Sequence, residues 1–231
     1  MTGYIAALPM YDWPERRAEV DSEWASIRDR LRASGVDAPE ELSRALPEHE
    51  TWRHSRLLFG QTCWGPMDCG IADYVQVVAQ PSYDGIEGGE GELYSSAIVV
   101  RRDGVKTHVE PASRAVIPLD ILRGARFIYN NPDSMSGLMG LMRDLQALGE
   151  SPAIFSERIE SGSHRSSIRA IAEGRADVAT IDCRSLELAR RYEADAVSAL
   201  SIVGWTAKRK GLPFITAKAT PPDIVAALRA A

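Results

Sequence analysis

The alternation of strand-like and helix-like segments is the feature that most constrains how this chain can fold. From residue 93 onward, short apolar segments rich in β-branched residues alternate with amphipathic segments of helical spacing. The strand candidates are 93–101, 126–130, 178–182 and 200–205, and the helix candidates are 138–148, 164–173, 184–192 and 222–229. This alternation is typical of an α/β protein with a parallel sheet, and we predict that fold class.

The N-terminal part shows the same two patterns less regularly. Residues 4–8 form a short apolar run that predicts a buried strand, and residues 57–59 and 75–79 are also strand-like. Apolar residues at helical spacing predict an amphipathic helix that begins at a capping box of Asp12 and Glu15 and ends at Gly35. We further predict a short helix at 39–46 and loops at 61–66 and 83–92.

Composition excludes several classes of protein. The chain has 231 residues, of which 45% are hydrophobic and 26% charged, as in ordinary globular domains. Its 27 basic and 32 acidic residues give a net charge of −5, and the basic residues are scattered. We therefore expect no nucleic acid partner. No apolar run exceeds five residues, so we predict neither a membrane span nor a signal peptide within this sequence.

The sequence carries no recognised catalytic or metal-binding motif. The three cysteines have no zinc-like spacing with one another or with histidine, and we interpret them as reduced thiols. Nucleophile elbows, Walker loops and dinucleotide-binding glycine motifs are also missing. We accordingly predict no cofactor, no metal and no catalytic residue, while a pairing of Cys63 with His164 as nucleophile and base remains an open alternative.

Two strand-to-helix turns carry the strongest indications of a binding site. Ligands of open α/β sheets bind at the carboxyl ends of the strands, where such turns lie. In the first turn, 130–137, the hydroxyls of Ser134 and Ser136 stand beside Gly137 at a predicted helix N-terminus. A helix N-terminus offers unpaired N–H groups and a partial positive charge to a small anion. The alternative is that Ser134 is only an N-cap and that Gly137 only permits close packing.

The second turn, 160–165, and the end of the strand 178–182 add two titratable groups. His164 falls in the first turn of the next predicted helix, where it can donate to an anion or simply face solvent. Asp182 ends an apolar strand, where it can cap the following helix or pair with a cationic group of a ligand. Both interpretations of each residue stay open at this level.

Several segments taken in order show a more specific similarity. These are Gln61-Thr62-Cys63, 80–84 (QPSYD), 93–101 (LYSSAIVVR), 134–137 (SMSG), Ser163-His164, 176–182 (ADVATID) and 211–214 (GLPF). The set resembles the phosphate- and phosphonate-binding proteins of ABC importers, which are PhnD-like members of the type 2 periplasmic binding proteins. The similarity extends over about two-thirds of the chain, and its strength lies in the order of the segments.

The resemblance implies two Rossmann-like lobes joined by two crossover strands. The crossovers would lie near residues 94–101 and 200–205. Lobe one would comprise residues 1–93 and 205–231, and lobe two residues 94–204, with a ligand held in the cleft between them. Members of this family are monomeric binding proteins that deliver ligand to a permease and an ATPase, and the resemblance implies the same for this chain.

The resemblance also assigns ligand-binding residues. Ser134, Ser136 and the backbone N–H of Gly137 would hold phosphoryl oxygens, with His164 as a further donor. Asp182 would face an amino group at the far end of the ligand. The remaining assigned residues are Met135, which stands where relatives often have a hydroxyl, Tyr94 and Ser95 from the crossover, and Gln61 and Thr62 from lobe one.

The sequence leaves alternatives to the binding protein open. The same fold also serves cytoplasmic enzymes of cofactor pathways, in which Asp182, His164 and Cys63 would be the reactive groups. It could also serve a ligand sensor that acts through a protein partner. Family members are exported, whereas this sequence starts at its first strand, so both a periplasmic and a cytoplasmic location are compatible with it.

Overall fold

A computed structural model describes residues 3–103 and 108–231. The strands are β1 (Ile5–Ala7), β2 (Leu57–Gln61), β3 (Val75–Ala79), β4 (Gly89–Glu90), β5 (Leu93–Tyr94), β6 (Ser96–Arg101), β7 (Arg126–Tyr129), β8 (Glu157–Glu160), β9 (Val178–Asp182), β10 (Leu200–Trp205), β11 (Arg209–Lys210) and β12 (Phe214–Ala217). The α-helices are α1 (Arg17–Ala33), α2 (Glu48–Trp52), α3 (Trp64–Asp68), α4 (Leu119–Leu122), α5 (Gly140–Ala147), α6 (His164–Ala172), α7 (Cys183–Tyr192), α8 (Ala194–Ser198) and α9 (Pro222–Ala230). No helix in these two ranges is long and apolar enough to cross a membrane.

The chain divides into two compact units. The first unit extends to Pro81 and includes Leu212–Ala231, and the second comprises Ser82–Gly211. The chain therefore passes between the units twice. The segments 82–93 and 205–211, which we predicted as parts of lobe one, are grouped with the second unit. The predicted lobe boundaries themselves stay a prediction.

The first unit is built on a four-stranded sheet with the order β1-β2-β12-β3. β1 and β2 are parallel, whereas β12 is antiparallel to both of its neighbours. One core cluster includes Trp24 of α1, Phe59 of β2 and Leu228 of α9. A second cluster forms around Leu57 and Ile215. β2 thus contributes side chains to both clusters.

The second unit contains a five-stranded sheet with the order β10-β6-β9-β7-β8. β7 is parallel to β8 and β9, but β6 is antiparallel to β9 and β10. The α/β class that we predicted is confirmed, but the sheet is mixed, since only β7, β8 and β9 form the predicted parallel part. The apolar pattern of β6 and β10 indicates burial on both faces of the sheet, and burial alone does not fix strand direction.

Two local predictions in the first unit are wrong. The capping box does not form, because Asp12 accepts hydrogen bonds from Arg44 and α1 begins only at Arg17. The helix predicted at 39–46 is also not present; α2 begins after Pro47 instead. Glu40 lies in the loop that precedes it, where its carboxylate pairs with arginines of α1. At both places a residue of the predicted element forms an ion pair with a more distant segment.

Two predicted loops contain short regular elements. Gln61 is the last residue of β2, and α3 begins at Trp64, so the predicted loop at 61–66 is only two residues long. Within the predicted loop at 83–92, Gly89–Glu90 forms β4, which pairs with β5.

Candidate functional site

The turn after β7 leads into a helix with an unusual beginning. Met135–Met139 is a π-helical turn that continues directly into α5. Ser134 is its N-cap, and the Ser134 Oγ accepts a hydrogen bond of 3.0 Å from the Gly137 N–H. Single π-helical turns within longer helices occur frequently at functional sites. The hydrogen bond from the Gly137 N–H shows that Ser134 does act as an N-cap.

The helix start is fixed from two sides. The Thr180 Oγ1, from β9, donates a hydrogen bond of 2.6 Å to the Gly137 carbonyl. On the other side, a Cβ atom at position 137 would lie only 1.7 Å from the Asn130 Oδ1. An alanine would fit there only if the Asn130 side chain moved, so Gly137 does permit close packing.

The second turn brings His164 to the same place. Ser163 caps α6 by accepting a hydrogen bond of 3.0 Å from the Ser166 N–H. The Ser136 Oγ and the His164 Nε2 are hydrogen-bonded at 2.8 Å, and the two hydroxyl oxygens of Ser134 and Ser136 are 3.3 Å apart. We call Ser134, Ser136, Gly137 and His164 the serine–histidine cluster. Two helix N-termini converge on it, one from α6 and one from the π-helical turn.

Burial determines the protonation state of His164. It lowers the pKa of the imidazole, although the nearby Asp182 carboxylate and the backbone carbonyl of Thr180 oppose this effect. Because the ordinary histidine pKa is about 6.5, a lowered value leaves the ring neutral at pH 7. A neutral imidazole still offers one N–H donor, and its tautomer can adjust to the group that it meets.

The helix start leaves backbone donors available to a ligand. The first N–H groups of a helix have no acceptor within the helix. Ser134 satisfies that of Gly137, whereas the described residues provide no acceptor for the N–H groups of Met135 and Ser136. The Met135 side chain is buried and apolar, so its backbone N–H is the only hydrogen-bond donor of this residue.

Asp182 lies at the end of β9 and is 1% exposed. Its Oδ1 accepts a hydrogen bond of 2.8 Å from the Ser185 N–H, so it caps α7. Its negative charge acts on His164, which links it to the serine–histidine cluster. The cap explains its place in the fold, and a role toward a ligand stays a prediction.

Tyr94 is the last residue of β5, and Ser95 directly precedes β6. The sheet register pairs Ser96 of β6 with Asp182 of β9. The Tyr94 ring stacks on Tyr83 with a centroid distance of 5.5 Å, and the Ser95 Oγ donates a hydrogen bond of 2.9 Å to the Gly88 carbonyl. Both side chains are buried and engaged within the second unit.

Gln61 and Thr62 belong to the first unit. The Gln61 Nε2 donates a hydrogen bond of 3.2 Å to the Leu212 carbonyl, so this side chain stabilises the end of β2. The Thr62 N–H donates to the Pro213 carbonyl, while its Oγ1 is buried without a hydrogen-bond partner in the described part of the chain. Their assignment as ligand contacts stays a prediction.

Two residues of the site were missed at the level of sequence. Thr180 is fully buried and anchors the helix start, and Asn130 packs against Gly137 with a buried Oδ1 that has no partner among the described residues. A signal for Thr180 exists, since Thr180 and Asp182 are two residues apart in one strand and therefore face the same side of the sheet. Asn130 has no such signal.

A family profile matches residues 71–231, which is more than half of the chain. The family is described as the periplasmic substrate-binding protein of phosphonate ABC transporters. No curated protein matches the chain.

Solved structures share the fold at low sequence identity. PhnD1 from Prochlorococcus marinus, in complex with methylphosphonate, has a TM-score of 0.72 and 15% identity over 98% of this chain and 82% of its own. XAC2383 from Xanthomonas citri, bound to chloride, has a TM-score of 0.69 and 17% identity over 98% of this chain and 81% of its own. A binding protein component of an ABC phosphonate transporter from Pseudomonas aeruginosa has a TM-score of 0.67 and 15% identity over 98% of this chain and 72% of its own.

The fold is therefore the mixed α/β fold of two-lobed periplasmic binding proteins. The chain belongs to the family of phosphonate ABC-transporter substrate-binding proteins. It is a solute-binding protein and not an enzyme, and the alternative of a cofactor-pathway enzyme is not favoured.

Proposed function

We propose that the serine–histidine cluster binds the oxyanion head group of a small phosphonate or phosphate ligand. The observation that carries this proposal is the hydrogen-bonded series Ser134–Ser136–His164 at the start of a helix. Two hydroxyls, two backbone N–H groups and one imidazole provide donors in several directions, as the tetrahedral oxygens of such a head group require. The helix dipole favours the same negative charge.

The donors of this site are dipoles rather than cations. In the described ranges, the hydrogen bonds of the cluster involve no arginine or lysine. The charge that acts on the pKa of His164 is that of the Asp182 carboxylate. A buried negative charge opposes an anion unless the ligand also carries a positive or protonated group. We therefore propose that the preferred ligand is a zwitterionic aminophosphonate, with Asp182 opposite its ammonium group.

Thermal-shift measurements on the full chain test the first proposal. The ligands are phosphate, phosphite, methylphosphonate and 2-aminoethylphosphonate. A ligand at 100 times its dissociation constant should stabilise the protein by about 2.7 kcal/mol. Ser136→Ala should abolish this stabilisation, whereas the matched control Ser198→Ala, at an exposed serine of α8, should retain it. The absence of a shift with all four ligands would contradict the proposal.

Asp182→Asn tests the second proposal, because asparagine preserves the helix cap. We expect this variant to lose affinity for 2-aminoethylphosphonate and to bind methylphosphonate at least as well as the unchanged protein. Equal losses for both ligands would mean that Asp182 acts only as a cap.

The remaining predicted contacts are proposed as secondary. Substitution of Tyr94, Ser95, Gln61 or Thr62 by alanine should weaken binding less than Ser136→Ala does.

We also propose that the chain is a monomer that delivers its ligand to an ABC permease and ATPase. Light scattering after size-exclusion chromatography tests the first statement, and ligand uptake in reconstituted vesicles tests the second.

A further inference from the structure

A second group of side chains in the Ser82–Gly211 unit shares no residue with the serine–histidine cluster. It consists of Glu87, His108 and Glu110, whose closest ligand atoms all lie within 4.8 Å of one another. We call these three residues the carboxylate–histidine cluster. From its geometry we propose that it is a binding site for a divalent transition metal ion, with Zn²⁺ as the reference ion.

The backbone around the cluster is held by one buried side chain. Trp205 is fully buried, and its indole N–H donates a hydrogen bond of 2.7 Å to the carbonyl of Val109, which lies between His108 and Glu110. The Val109 N–H donates to β10 as well. Gly88, next to Glu87, packs on the same indole ring, since a Cβ atom there would lie 2.4 Å from it. Trp205 therefore positions both segments that supply ligands.

The distances within the cluster fit a shared metal ion. The His108 Nε2 lies 2.7 Å from the Glu87 Oε1 and 3.4 Å from the Glu110 Oε1. Zinc binds imidazole nitrogen and carboxylate oxygen at about 2.0–2.2 Å, so two of its ligand atoms stand roughly 3 Å apart.

The orientation of the closest pair is a second, independent observation. Although the His108 Nε2 is 2.7 Å away, the buried Glu87 Oε1 makes no hydrogen bond within the described ranges. The ring nitrogen is thus not aligned with the oxygen as a hydrogen bond requires. The His108 Nε2 and the Glu87 Oε1 are thus close to each other without being hydrogen-bonded, as two ligand atoms of one metal ion are.

The charges also favour a cation. Arg190 of α7 binds the other carboxylate oxygen of Glu87, Oε2, and thereby orients the Oε1 toward His108. Even with this guanidinium, the two carboxylates leave the cluster with a net negative charge when His108 is neutral, the form in which it binds a metal. Arg190 would thus not bind the metal itself but would hold the ligand Glu87 in its orientation. The side chains of His108 and Glu110 are 49% and 78% exposed, so solvent can complete the coordination.

Titration calorimetry with Zn²⁺ and the full chain tests this proposal. We expect one ion per chain with a dissociation constant in the micromolar range. His108→Asn and Glu87→Gln should each weaken binding at least tenfold, and Arg190→Gln by about tenfold. His49→Asn, at an exposed histidine of the first unit, is the matched control and should bind Zn²⁺ unchanged.

A spectroscopic measurement identifies the ligand directly. Cu²⁺ bound to the unchanged protein should show imidazole nitrogen coupling in electron paramagnetic resonance, and this coupling should disappear in His108→Asn. Absence of Zn²⁺ binding at millimolar metal would overturn the proposal. Unchanged affinity in His108→Asn would do so too, as would a loss of binding on substitution of His164 instead of His108.

Discussion

Gly137→Ala is the substitution whose effect the structure specifies most closely. The new methyl group would lie 1.7 Å from the Oδ1 and 2.9 Å from the Cγ of Asn130. Real Cβ contacts are essentially never shorter than 3.0 Å, so one side must move by more than an ångström. Residue 137 cannot move easily, because its N–H and its carbonyl are bound by Ser134 and Thr180.

The expected cost has two parts. Overpacking of a buried site costs about 1–3 kcal/mol, and loss of the Ser134 cap costs about 0.5–2 kcal/mol. An alanine that fitted would instead stabilise a helix by up to about 1 kcal/mol relative to glycine. We therefore expect the free energy of unfolding to fall by about 0.5–4 kcal/mol, together with a loss of methylphosphonate binding.

Urea denaturation of two single variants and their double variant measures this effect. Asn130→Ala removes the side chain that the methyl group meets. Because the Asn130 Oδ1 has no hydrogen-bond partner in the described ranges, this variant alone should change stability little. The double variant should recover most of the stability that Gly137→Ala loses, as expected for two residues in contact. A Gly137→Ala protein of normal stability, or a double variant no better than the single one, would refute the reasoning.

Three further predictions concern the second unit and the thiols. Because burial lowers the pKa of His164, the unfolded chain binds more protons than the folded protein just below pH 6.5. The free energy of unfolding should therefore decrease as the pH is lowered from 6.5 and level off below the pKa of the folded state. Urea titrations should show a weaker pH dependence of this free energy in His164→Gln. Asp144→Asn breaks a mostly buried ion pair with Arg209 and should destabilise the protein by about 2–4 kcal/mol, measured in the same way. Burial raises the pKa of the Cys183 thiol, so a thiol reagent should label the exposed Cys69 in the native protein and all 3 cysteines only after unfolding.

Local sequence patterns were sufficient for most of the second unit. The strand ending at Asp182 and the helices that begin near His164 and after Asp182 form where the apolar periodicity placed them. Periodicity and caps act within a few residues, so they can be read from the chain directly. In the first unit, Asp12 accepts a hydrogen bond from Arg44, 32 residues away, and does not cap the helix as the local pattern predicted.

The site was only partly predictable for the same reason. The turns containing Ser134 and His164 were recognised separately, but the hydrogen bond between Ser136 and His164 joins positions 28 residues apart. Thr180 reaches Gly137 across 43 residues, and this contact depends on the order of strands in the sheet. The carboxylate–histidine cluster left no spacing signal, because Glu87 and His108 meet only through their packing around Trp205.

The sequence by itself determined the α/β class, the positions of most strands and helices, and the residue types at the two helix starts. Each of these depends on interactions between neighbours in the chain. The tertiary structure decided the direction of β6, the hydrogen-bonded series from Ser134 to His164, the neutral state of that histidine and the meeting of Glu87 with His108. These depend on strand order and burial, which arise only when distant segments pack together and exclude water.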